Sequence, residues 1–310
     1  MDPVNPEDPY HDPSDFLNDC GTIGGFSTPG VAMQQSTALP VLQMLPSELL
    51  VTHEDSDPRR VERLSQRLLE EGLLKNPPIV TSIPDDDRYM IMDGANRCSA
   101  FRAVGIPHIV TQVVSYDDPG VMLDTWYHVI SGMALEKFEA ALAAVEFMEL
   151  KDCSLEQARA ELNGERPLAY IVSEQGVRQV RPVGKTYVPA MKVLHAIVGV
   201  YRGKADIFRA SNDIWEIQKP YYPEITALAI FPRVRPGDLL EVAKNGEKIP
   251  SGITRHIIPA RALNINIPIG ILMADWPLER KRAWLDDWWM DRMGANAIRY
   301  YAESTFSFNE

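Results

Sequence analysis

Cysteine is scarce in this chain, and the three that occur, Cys20, Cys98 and Cys153, are odd in number and widely separated. That spacing excludes a CxxC pair and a disulfide framework, so they read as reduced bystanders. Histidine is equally thin. His11, His53, His108, His128, His195 and His256 include no pair at helical ligand spacing with a third partner, which leaves a zinc site without support. Positive charge is short as well: 31 Lys and Arg stand against 43 Asp and Glu, a formal net charge of -12 with no basic block. Such a balance argues against nucleic acid as a partner. No segment reaches the apolar length of a membrane span, and the start lacks the basic residues and apolar stretch of a secretory signal, so a cytoplasmic location is expected. The commonest ATP motif is missing too. Gly184-Lys185-Thr186 imitates the end of a Walker loop, but Gln179 occupies the place of its first glycine.

What is present suffices for a full core: 310 residues, 45% hydrophobic, with no internal repeat. The first twenty residues hold six acids, four prolines and no Lys or Arg, so 1–36 is expected to be a disordered acidic tail. Residues 37–116 read as an α/β unit, with strand-like runs at Val41 to Leu45 and Ile79 to Ile83 around a helix from Arg59 to Gly72. Residues 117–182 read as a helical domain, because Leu135 to Met148 places apolar residues at helical spacing and Ser154 caps a helix with Gln157 three positions on. Residues 183–310 read as a smaller α/β part, with helices over Val188 to Val200 and Asp238 to Ala243. The fold class is thus α/β (α+β) with a helical middle layer. Trp284, Trp288 and Trp289 lie on a helix expected to pack on its own body, with a homodimer seal as the alternative.

The segment from Tyr89 to Pro107 carries the most chemistry. A short apolar strand, Tyr89 to Met92, turns at Asp93-Gly94 into a helix that Gly105 and Pro107 end. The first N–H groups of a helix lack intrahelical partners, and a glycine lets an anion approach them. Arg97 in that first turn can grip phosphate in bidentate fashion, and Asp93 can hold Mg²⁺ or orient a hydroxyl. Read alone, the same residues fit a plain strand-to-helix corner capped by Asp93 equally well.

Gly94-Ala95-Asn96-Arg97, with Ala100 and Gly105 following, resembles the signature loop of the ParB/sulfiredoxin-like superfamily. A sulfiredoxin would need its nucleophilic cysteine where Ala95 stands, and a ParB proper would continue into a basic DNA reader. The free L-serine kinase branch, which includes the enzyme of staphyloferrin B biosynthesis and archaeal serine kinases, matches from about Val41 to Leu272.

That resemblance implies the remaining assignments. The His53-Glu54 segment implies Glu54 as catalytic base, with Asp93 the second catalytic residue and His53 beside the substrate; a carboxylate within reach of a serine hydroxyl can take its proton during phosphoryl transfer. Asp93, Gly94, Ala95, Asn96, Arg97 and Cys98 would hold the nucleotide. Trp126, in Asp124 to Val129, and the triplet Thr254-Arg255-His256 would form the amino-acid pocket. The activity implied is phosphorylation of free L-serine to O-phospho-L-serine with Mg²⁺ and either ATP or ADP; no metal ligand set is assigned. The rival is a ParB-like regulatory protein that senses nucleotide or metabolite and binds DNA or a protein partner without kinase activity. Such a sensor would keep Arg97 and need neither Glu54 nor the triplet.

Overall fold

The computed structural model describes residues 39–162, 169–183 and 190–301. The expected acidic tail, Cys20, His11 and Gly184-Lys185-Thr186 lie outside these residues.

The first sheet forms where the sequence placed strands. In chain order come β1 (Val41–Pro46), β2 (Leu50–Thr52), helix α1 (Pro58–Glu71), β3 (Leu73–Leu74), β4 (Ile79–Ser82), β5 (Tyr89–Asp93), helix α2 (Ala95–Ala103) and β6 (His108–Val113). The sheet order is β1-β6-β4-β5-β2, with β2 parallel to β5, β4 parallel to β6 and the other pairs antiparallel. Asp57 starts α1: its carboxylate accepts from the N–H groups of Arg59 and Arg60, and Pro58 occupies the first helical turn. Met90, Ile91 and Met92 bury the centre of β5, which fixes where Asp93 emerges.

Residues 117–182 correct the sequence reading. In place of a helical layer they supply β7 (Met122–Thr125), β8 (Tyr127–Ser131), α3 (Leu135–Ala143), β9 (Met148–Cys153), α4 (Leu155–Leu162), β10 (Ala169–Ser173) and β11 (Gly176–Pro182). They continue into α5 (Ala190–Tyr201), β12 (Asp206–Ala210), α6 (Trp215–Gln218) and β13 (Ile225–Ile230). Six of these strands form an antiparallel sheet ordered β12-β8-β13-β10-β11-β9. The helical periodicity of Leu135 to Met148 holds only to Ala143, and Met148 already belongs to β9. Val129, Ile130 and Tyr170 to Val172 are buried, so these strands read as continuous apolar runs without the alternation that announces a half-exposed strand. Ser154 does cap α4, its Oγ accepting from the Gln157 N–H at 3.0 Å.

The chain closes with α7 (Pro236–Lys244), β14 (Thr254–Ile257), β15 (Ile267–Pro268), α8 (Ile269–Met273) and α9 (Leu278–Gly294). β14 pairs with β7 and β15 with β3, so the C-terminal part is stitched onto both preceding regions. Leu285 of α9 is buried in the core that holds β1 and α2, with Trp284 and Trp288 against it, as expected for a helix packed on its own body. Among the described residues no helix is long and apolar enough to cross a membrane.

Candidate active site

Glu54 is placed by main-chain pairing. The backbone from His53 to Asp55 brackets Ile249, with Ile249 N–H donating to the His53 carbonyl at 2.8 Å and Asp55 N–H to the Ile249 carbonyl at 3.3 Å. This draws the 250–254 loop over the Glu54 side chain. Gly252 N–H donates to Oε2 at 2.9 Å, Thr254 N–H donates to Oε1 at 2.9 Å, and the Thr254 hydroxyl donates to Oε1 as well. Since that hydroxyl has one proton, the 2.9 Å contact between His53 Nε2 and Thr254 Oγ1 requires the imidazole to donate. His53 Nε2–H, Thr254 Oγ1–H and Glu54 Oε1 therefore form one directed chain.

His256 stands behind it. Its ring meets that of His53 edge-on with centroids 5.5 Å apart, and its Nε2 lies 2.7 Å from the Tyr116 hydroxyl. Burial pushes His256 down to about 3, with His53 beside it adding to the shift. Burial also lowers His53, against the opposing pull of Glu54. Both rings are thus neutral at physiological pH.

The second corner is the loop. Asp93 Oδ2 accepts from Arg261 at 2.8 Å and from Arg97 at 3.3 Å, while Arg97 also donates to the Asn76 carbonyl at 3.0 Å. Burial raises the Asp93 carboxyl, but Arg97 and Arg261 more than reverse this, leaving it below the usual carboxylate range. Gly94, at φ +93°, starts α2 without a side-chain cap, so Asp93 is not the cap of a plain corner. A Cβ at Gly94 would lie 3.0 Å from Arg97 Nε and 3.2 Å from Pro78 Cα. Asn96 is engaged too: its Oδ1 accepts from the Asp57 N–H at 3.0 Å and ties the loop to the start of α1.

Both corners open into one cleft of about 320 Å³. Its lining includes His53, Glu54, Thr254 and Asp93 through Arg97. Leu64 and Leu68 of α1, Leu73, Phe101 of α2 and Leu263 add apolar groups to this lining. Among the described residues no group of three or more His, Cys, Asp or Glu could hold a metal by itself.

Four sequence assignments do not line the cleft: Cys98, Trp126, Arg255 and His256, the last standing behind His53. Cys98 is fully buried beneath the loop, and burial pushes its thiol up to about 12, so it offers the cleft neither its side chain nor a thiolate. Trp126 and Arg255 are turned toward each other, with the guanidinium 4.3 Å from the indole centroid, and neither lines the cleft. Strand alternation explains this: in β14, Thr254 and His256 share one side and Arg255 takes the other. Conversely, Arg60, Arg209 and Arg261 line the cleft and were not assigned. Arg261 stood within the same sequence run as the triplet, whereas Arg209 had no motif around it.

The resemblance read from the sequence is borne out by known proteins. No family model matches the chain. An ATP-dependent L-serine kinase of Staphylothermus marinus is 26% identical over 247 residues, covering 75% of this chain and 93% of its own. The ADP-dependent L-serine kinase SerK of Thermococcus kodakarensis is 23% identical over 224 residues, covering 70% of this chain and 87% of its own. Among solved structures, C-terminally truncated SbnI from Staphylococcus aureus superposes with a TM-score of 0.65 at 20% identity, covering 81% of this chain and 97% of that one. A free serine kinase in complex with AMP gives 0.64 at 18% identity, covering 77% and 96%. At these identities the structural likeness establishes the shared fold.

Proposed function

We propose that this chain is a free L-serine kinase, transferring the terminal phosphoryl group of an adenine nucleotide to the hydroxyl of L-serine to give O-phospho-L-serine. The observation that carries this reading is that the Glu54 carboxylate and the Asp93 to Arg97 loop line a single cleft. The apolar groups of that lining take the adenine, and the α2 start takes the phosphates. A regulatory sensor would have no use for a carboxylate held by three donors opposite a phosphate loop.

In the transfer the bond between serine Oγ and the terminal phosphorus forms. The bond from that phosphorus to its bridging oxygen breaks, and the electron pair leaves with the shortened nucleotide. The hydroxyl proton passes to Glu54. Oε2 is the better-placed acceptor, because it carries one protein donor where Oε1 carries two. Phosphoryl transfer concentrates charge on the equatorial oxygens, so Arg97 and the free N–H groups at the start of α2 contribute by electrostatic stabilisation, with Glu54 supplying roughly two to four powers of ten.

Mg²⁺ fits as a companion of the donor phosphates. Such an ion keeps several waters and takes only one or two carboxylates, and Asp93 lies at the cleft with its Oδ1 free of side-chain donors among the described residues. There it would offset phosphate charge. The donor is ATP or ADP, and both kinds occur among the relatives. A cytoplasmic location accords with these substrates.

The deciding experiment is mass-spectrometric detection of O-phosphoserine from purified protein, L-serine, Mg²⁺ and either ATP or ADP, beside the Glu54→Gln variant. Product from wild type alone supports the reading and names the donor. Absence of product with both nucleotides overturns it, and near-normal turnover by Glu54→Gln overturns the assignment of the base.

A further inference from the structure

The cleft is lined by six cationic side chains: Arg60, Arg67, Lys75, Arg97, Arg209 and Arg261. Four are engaged. Arg67 and Lys75 pair with Glu71 at 3.4 and 3.0 Å, and Arg97 and Arg261 pair with Asp93. Among the described residues, Arg60 and Arg209 make no ion pair. Arg60 sits in the first turn of α1, next to the Asp57 that Asn96 binds, on the phosphate side. Arg209 comes from β12 and sits on the Glu54 side.

Gly252 is what admits it. A Cβ on Gly252, at φ +87°, would lie 3.2 Å from Arg209 Nε and 3.3 Å from its Nη2, while the Gly252 N–H holds Glu54 Oε2. A guanidinium and the proposed base thus flank the same glycine without pairing with each other.

We propose that Arg209 binds the α-carboxylate of the amino-acid substrate; this rests on the serine-kinase reading above. A free amino acid brings a carboxylate that must meet a cation when it leaves water, and the planar fork of arginine matches both oxygens. In serine a short carbon skeleton joins hydroxyl and carboxylate, so a hydroxyl facing Glu54 puts the carboxylate beside it. Arg209 is the uncommitted cation at that place. Arg255, the candidate from the sequence motif, is turned onto Trp126. The consequence is specificity: the enzyme selects free amino acids over hydroxyl compounds that lack the carboxylate.

The test is steady-state kinetics of wild type, Arg209→Met and Arg209→Lys with L-serine and with L-serinamide, which replaces the carboxylate by a neutral amide. Wild type should prefer L-serine strongly. Arg209→Met should raise the KM for L-serine roughly 10- to 100-fold, the scale of a lost charged hydrogen bond, and lower the preference over serinamide by the same factor. The nucleotide KM should stay essentially unchanged. Arg209→Lys, which keeps charge but loses the fork, should fall between, and it decides the matter if the Met variant fails to fold. An unchanged serine-to-serinamide preference in the variants, or a rise confined to the nucleotide KM, overturns the proposal alone. If wild type makes no phosphoserine at all, the underlying reading fails and takes this proposal with it.

Discussion

Thr254 binds Glu54 twice, through its backbone N–H at 2.9 Å and through its hydroxyl, and both bonds fall on the same carboxylate oxygen. The hydroxyl is in turn supplied by His53, a side chain only 3% exposed. Glu54 is therefore held in one orientation, with Oε1 taking two donors and Oε2 only one.

Thr254→Val tests this arrangement. The substitution keeps shape and backbone N–H but removes the hydroxyl, leaving His53 Nε2–H without its acceptor. The loss of a hydrogen bond to a charged group, about 1.5–3 kcal/mol, predicts a fall in kcat on the order of 10- to 100-fold. The nucleotide KM should hardly change, and Thr254→Ser should restore most of the rate. Equal kcat values for Thr254→Val and wild type would remove the hydroxyl from the mechanism.

Gly94→Ala tests the loop. A methyl group there meets Arg97 and the Pro78 backbone at 3.0–3.2 Å, and alanine resists the positive φ. The expected cost is about 1–3 kcal/mol of stability, read as a lowered urea midpoint, together with weaker ADP binding by calorimetry. Wild-type affinity in this variant would mean that the loop does not receive the phosphates.

Asp93→Asn separates the metal from the arginines. The amide keeps a polar contact for Arg97 and Arg261 but loses the charge that draws a hard cation. The concentration of Mg²⁺ needed for half-maximal turnover should rise at least several-fold, while thermal stability changes little. An unaltered Mg²⁺ requirement would place the ion elsewhere.

Much of this site was legible in the sequence because its parts are local. Asp57-Pro58 announces the start of α1, and Asp93-Gly94 with Arg97 one turn later announces the strand-to-helix corner, all within short segments. What was not legible depends on contacts that only tertiary structure decides. Strand alternation in β14 sends Arg255 out and Thr254 in, a distinction invisible in a triplet considered as a unit. The strands of the second sheet are buried apolar runs that imitate helices over short windows. Arg209 reaches the cleft from an edge strand more than 150 residues after Glu54, beside a glycine whose purpose shows only once both are placed. Lys281, within a charged stretch of α9, is fully buried and donates to the Leu272 carbonyl at 2.6 Å, a contact set by tertiary packing alone.

The buried histidines predict how stability depends on pH. His128, 1% exposed, has Nδ1 2.8 Å from the Tyr201 hydroxyl and Nε2 3.1 Å from the Gly252 carbonyl. A backbone carbonyl can only accept, so Nε2 carries the proton and Nδ1 accepts from tyrosine; the ring is neutral and both nitrogens are satisfied. Burial pushes it down to about 4 from an ordinary value of 6.5. With the folded value depressed, the unfolded chain binds more protons between those limits. The stability contributed by the neutral ring is therefore fully present above pH 6.5 and lost as pH falls toward 4. His256, lowered to about 3, extends the same loss further into acid. Urea unfolding of wild type at a series of pH values should show the unfolding free energy falling steadily through this window, by an amount on the order of 3 kcal/mol for His128 alone. His128→Gln, which can donate to the Gly252 carbonyl without titrating, should be less stable at pH 7.5 yet show a shallower decline. Parallel curves for the two proteins would mean that His128 does not titrate across this range, and that the acid sensitivity arises from other groups.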